Sequence, residues 1–154
     1  MKLIFSDPFV YGIPKSLFSN LLKRLPLVLL ASTLSEVELL LTNNAEIHAL
    51  NKQYRGIDKP TDVLSFESTQ MPSGIAPAQI VISVERAREQ AKEIGQSLHE
   101  ELRFLFAHGL MHISGFDHKT PAEEEVMLGK VYELLGRKPQ SETSKTLNNG
   151  PNSR

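Results

Sequence analysis

The segment from Leu98 to Ile113 is apolar on almost every side after its first turn, through Leu102, Phe104, Leu105, Phe106, Leu110 and Met111. A helix with one apolar stripe can lie on a surface, but a helix apolar all round has to be enclosed. Any fold open to this chain must therefore set that helix at its centre and cover it with the other elements. Within it His108 and His112 stand four residues apart, which puts both imidazoles on one face with Cβ atoms roughly 5–6 Å apart. Gly115 follows, a residue able to take the left-handed conformation that ends a helix and turns the chain back. His118 lies three residues further on. Three of the five histidines thus fall in one short run, at a spacing that suits a single metal ion with His108, His112 and His118 as ligands.

The offsets match the zinc-peptidase pattern H-E-x-x-H-x-x-G-x-x-H, except that Gly109 stands where the pattern has its glutamate. In those peptidases the glutamate is the general base that deprotonates the attacking water. The chain keeps the cage and lacks the base, which points to metal-assisted hydrolysis of a bond other than a peptide. His48 and His99 have no such partners and read as ordinary surface or core histidines.

With 154 residues the chain suits one domain. Residues 1–138 are expected to form it, and the Ser-, Asn- and Lys-rich run 139–154 reads as a flexible tail. The absence of cysteine leaves imidazole and carboxylate as metal ligands and fits a reducing cytosol. A formal net charge of −1 gives no overall nucleic-acid signal, so any such contact must rest on a local basic patch. The apolar run Leu25–Ala31 is too short to span a bilayer and reads as a buried helix end. The expected location is cytoplasmic, with no membrane partner.

Strands are expected over 2–5, 36–42, 62–66 and 79–83, with a loop over 71–77. Helices are expected from Pro14, over 45–54 with Gly56 as the stop, over 85–94 with Gly95 as C-cap, over 98–113, and from Thr120-Pro121 to Gly136. Strands and helices interleave without a strict βαβ rhythm. The fold class is therefore α+β, a single domain with a small, about four-stranded mixed sheet packed with helices. Strand order cannot be read from the residues.

A second constellation, Asn51 to Phe66, joins a helix end to a strand through a turn carrying Lys52, Arg55 and Lys59. Arginine's rigid fork suits a phosphate or a developing oxyanion, so Arg55 can face the metal across a cleft. The competing reading is a solvated turn in which Arg55 pairs with Asp58, and spacing alone favours it.

The two segments together, 51–66 and 108–118, resemble those of the YbeY-type bacterial endoribonucleases that mature ribosomal RNA, with similarity over residues 36–137. The resemblance implies an α+β fold, a zinc-type ion on His108, His112 and His118, and Arg55 in the cleft. It further implies cleavage of single-stranded RNA near the 3′ end of small-subunit ribosomal RNA, with the small ribosomal subunit as partner and a role in ribosome quality control; no DNA is expected. One departure is that Ala78-Gln79 stands where the family usually has Gly-Asp, so a carboxylate is missing. On this reading His108 and Arg55 are catalytic, while Lys52, Arg55 and Lys59 bind substrate. Two alternatives remain: a ribosome-assembly module whose metal is structural, and a metallohydrolase of another substrate. Asp117 is either a general base or a residue that orients a histidine.

Overall fold

The computed structural model describes residues 1–28 and 35–137. Along the chain come β1 (Lys2–Ser6), α1 (Ser16–Val28), β2 (Glu36–Thr42), α2 (Asn44–Arg55), β3 (Val63–Phe66), β4 (Thr69–Met71), β5 (Gly74–Ala76), β6 (Ala78–Ser83), α3 (Val84–Ile94), α4 (Leu98–Ile113) and α5 (Pro121–Leu135). Residues 29–31 of the apolar run and the tail from 139 lie outside the described residues. Among the described residues no helix is long and apolar enough to cross a membrane.

The main sheet has the order β1-β2-β6-β3, with β1, β2 and β6 parallel and β3 antiparallel at one edge. It is the four-stranded mixed sheet of an α+β domain. Register pairs Leu39 with Ile80 and Leu41 with Ile82. These side chains point to one face, while Leu40 and Val81, one residue along, point to the other. The first face carries the main core, where Val37, Leu39, Leu41, Ile80 and Ile82 meet Phe18 and Leu21 of α1, Leu105 and Leu110 of α4, and Val131 of α5. On the second face Ile47 and Leu50 of α2 cover Leu64, Val81, Leu40 and Phe66.

Helix α4 touches α1, α3, α5, β3 and β6, which is why its sequence has no polar face to spare. It lies close on the sheet at Gly109, where an added Cβ would sit 3.1–3.2 Å from three atoms of the Ile80 side chain. The four later helices start on capping side chains: Asn43, Ser83, Ser97 and Thr120 each accept from the backbone N–H three residues on. The loop expected over 71–77 is instead largely the short hairpin β4-β5, pairing Thr69 with Ala76. Gly74, at φ 131°, allows its tight turn. With only three residues per strand, its alternation is too brief to register as a strand pattern.

Candidate active site

Helix α4 ends in a Schellman motif that delivers the third histidine. The Phe116 N–H donates to the Met111 carbonyl and the Gly115 N–H to the His112 carbonyl, both at 3.1 Å. Gly115 takes φ 102°, as a reversal of this kind requires. Asp117 then accepts from the His118 backbone N–H at 2.7 Å, fixing the turn. The result brings the His118 ring centroid to 5.9 Å from that of His108 and 5.9 Å from that of His112.

The electrostatics of the rings differ. Burial pushes the His108 imidazole down to about 3, helped by His118 and His112. It is neutral at physiological pH. It stacks on Phe104 at 6.2 Å, and its Nε2 is buried without a hydrogen-bond partner. His112, half-buried, is also lowered, first by burial and then by His118; Asp117 and Glu67 oppose this, while Arg55 reinforces it. Its Nδ1 is likewise buried and unpartnered. Asp117 is held below the usual carboxylate range by the His118 N–H and, more weakly, by Lys119. Its Oδ1 is engaged by the His118 backbone N–H rather than by an imidazole nitrogen.

Among the described residues no three His, Asp or Glu side chains stand arranged to hold a metal ion. The donor chemistry nonetheless fits one. Neutral imidazoles are the form that ligates, and an unpartnered buried nitrogen costs free energy unless something accepts its lone pair or proton. Rings sharing a tetrahedral ion would have centroids about 5–6 Å apart, given Zn–N distances of about 2.0–2.1 Å. The His118 separations from His108 and His112, 5.9 Å each, fall within that range.

Arg55 does not pair with Asp58. Asp58 instead meets His48 at 2.8 Å and Lys52 at 3.9 Å. The Arg55 guanidinium donates to the Ser65 carbonyl and lies 5.0 Å from the centre of the Phe66 ring, which Tyr54 meets edge-on. The last turn of α2 is thereby pinned to the end of β3, with the arginine's charge felt at His112. Lys52 shares Asp58 with His48, and the Lys59 carbonyl accepts from Asn51. Phe66 and Ser65, which seat Arg55, end the 51–66 segment, but nothing in the sequence marked them as the arginine's partners. Beside the turn, Gly115, Phe116, Asp117, Ala122, Glu123 and Val126 line a cavity of about 380 Å³. Gln79, at the position of the missing carboxylate, donates to Glu38 at 2.7 Å across the β2–β6 pair.

The family model of endoribonuclease YbeY matches residues 14–138, a span that takes in all of α1, where the residues carry no recognisable motif. The chain is 44% identical over 120 residues to the endoribonuclease YbeY of Bacillus licheniformis, covering 71% of this chain and 76% of that one. It is 44% identical over 111 residues to the Bacillus subtilis protein of that name, covering 66% and 71%. With the Nautilia profundicola protein, also of that name, identity is 46% over 101 residues, covering 62% and 72%. A solution structure of a Thermotoga maritima protein superposes with a TM-score of 0.58 over 99% of both chains, and at 24% identity that likeness shows the fold alone.

Proposed function

Because the chain belongs to the YbeY endoribonuclease family, we propose that it is a zinc-dependent endoribonuclease that cuts single-stranded RNA. Its substrate on this reading is the 3′ region of small-subunit ribosomal RNA, and its setting is ribosome maturation and quality control in the cytoplasm. The observation that carries the proposal is the cluster of three imidazoles closed by the Gly115 turn, with a neutral, buried His108 whose Nε2 has no partner.

His108, His112 and His118 would hold the ion. Bound there, it would supply Lewis acidity at a phosphate oxygen and acidify water, lowering its pKa to about 7 in favourable sites. Burial keeps His108 unprotonated, so its nitrogen is available without competition from a proton. Arg55 neutralises charge that develops on the phosphoryl oxygens. Its seat on Ser65 and Phe66 orients the guanidinium beforehand, so little reorganisation is needed as that charge forms. Asp117 holds the His118 backbone, and hence its ring, in place. Gly109 has a packing reason to lack a side chain, since Ile80 fills the space a glutamate would need. That supports a substrate other than peptide.

The test sets the native protein beside His108→Ala, purified identically, on a single-stranded RNA and on the same sequence as a duplex. The native protein should cut the single strand, lose activity to a chelator, regain it with zinc, and cut the duplex poorly. Equal cleavage by both proteins would mean a contaminating nuclease and would return the site to a structural role in an assembly module.

A further inference from the structure

Two carboxylates and an amide that the proposed reaction does not use lie buried where three elements meet. Asp62, one residue before β3, is 1% exposed, Gln90 of α3 is 3% exposed, and Glu101 in the first turn of α4 is fully buried. Gln90 Nε2 donates to Asp62 Oδ2 at 3.2 Å and to Glu101 Oε1 at 3.1 Å. A side-chain amide has two protons on that nitrogen, and here each has its own acceptor. The other oxygens are tied as well. Asp62 Oδ1 accepts from the Val63 N–H at 2.8 Å and the Thr61 hydroxyl at 3.3 Å, and Glu101 Oε2 accepts from Gln96 Nε2 at 2.6 Å. The Asp62 carbonyl also takes the Ser83 N–H at 2.9 Å, joining the strand entry to the start of α3.

Two arms leave this tie, one to each half of the candidate active site. Three residues along β3 from Asp62 is Ser65, whose carbonyl holds Arg55; at about 3.3 Å per residue that arm is roughly 10 Å long. Seven residues along α4 from Glu101 is His108, on the same helix face two turns on; at about 1.5 Å per residue that arm is also roughly 10 Å. Between them, Ile80 of β6 fills the notch at Gly109 of α4, a contact that fixes α4 on β6 but does not reach β3. The Asp62–Gln90–Glu101 bonds join α4 to the entry of β3 directly, and buried hydrogen bonds are directional and lost if the elements slip.

We propose that Gln90 is a positioning residue: by holding Asp62 and Glu101 together it sets the register of the histidine helix against β3, and with it the placement of Arg55 relative to His108 and His112. The proposal rests on the RNA-cleavage reading above. A displacement of about 1 Å can cost on the order of a hundredfold in rate, so a loose tie would be visible in turnover long before it unfolded the protein.

The experiment is a double-mutant cycle on the full chain with a single-stranded RNA oligonucleotide, combining Gln90→Leu with Arg55→Ala. Gln90→Met, which keeps the side-chain length, is measured alongside, so a leucine variant that fails to fold leaves the comparison intact. In the native background, kcat per folded molecule should fall about tenfold or more while KM changes less than about threefold. In the Arg55→Ala background the same change should cost no more than about twofold, because the group being positioned is already gone. Equal losses in both backgrounds would make Gln90 an ordinary stability residue and overturn the proposal. Full cleavage by Arg55→Ala alone would instead overturn the catalytic reading of that arginine, a failure separable from that of the tie.

Discussion

His108 shows how one residue can be shaped for two demands. Burial on α4 lowers its imidazole to about 3 from 6.5, so it is neutral in the fold at any ordinary pH. The linkage has a definite sign. A chain unfolded below about pH 6.5 protonates this histidine while the folded chain does not, so the folded state is penalised as pH falls toward about 3 and is unaffected above neutrality. Each such group contributes up to about 1.4 kcal/mol per pH unit in that window. Urea titrations of chelator-treated protein at pH 7.5 and 5.5 should therefore show a loss at the lower pH that is smaller in His108→Leu. An identical loss in that variant would assign the effect to other groups, His112 among them, since it is lowered in the same direction.

At the scale of elements, the end of α4 matters more than its length. A helix that continued past Ser114 would carry His118 away along its axis, and the left-handed Gly115 prevents that. Gly115→Ala forces a Cβ into a conformation that L residues avoid, at a cost of about 1–2 kcal/mol. We expect a lower melting temperature and, in the folded fraction, RNA cleavage reduced beyond what stability explains, because the turn and His118 move together. Unchanged stability would mean the turn can form without the left-handed residue. The end of α2 has a corresponding task. There Gly56 closes the helix at φ 69° directly after Arg55, and β3 receives the guanidinium.

For the whole molecule, the near-neutral charge limits how RNA can be held. With a net charge of −1, overall charge supplies no positive field for phosphates, so any attraction has to come from local cations. Lys52 shares its charge with Asp58. If Lys52, Arg55 and Lys59 are the groups that meet phosphates, the logarithm of RNA affinity should fall against the logarithm of salt with a slope of about −2, at roughly −0.7 per phosphate for single strands. Filter binding from 50 to 300 mM salt, a range on the order of that used for such slopes, measures it. A slope steeper than about −4 would require a larger basic surface than these three residues provide.

Much of this protein was legible in its residues because the signals are local. The all-round apolarity of Leu98–Ile113 demanded a covered helix, and Thr120-Pro121 marked a helix start that the Thr120 cap makes at 3.2 Å. The offsets of His108, His112 and His118 around Gly115 require only helix geometry and one left-handed residue. Pairings between distant segments were not legible. Nothing near Arg55 in sequence distinguishes an ion pair with Asp58 from a seat on Ser65 and Phe66, because the choice depends on where β3 lies beside α2. Strand order was equally hidden, since β2 and β6 are joined in space across more than thirty residues that include a helix, an edge strand and a hairpin. Gln90 and Glu101 read alone as polar residues on two helices. Only the packing of α3 and α4 beside the start of β3 turned them, with Asp62, into one buried group, because hydrogen bonds between remote side chains exist only once the chain has folded.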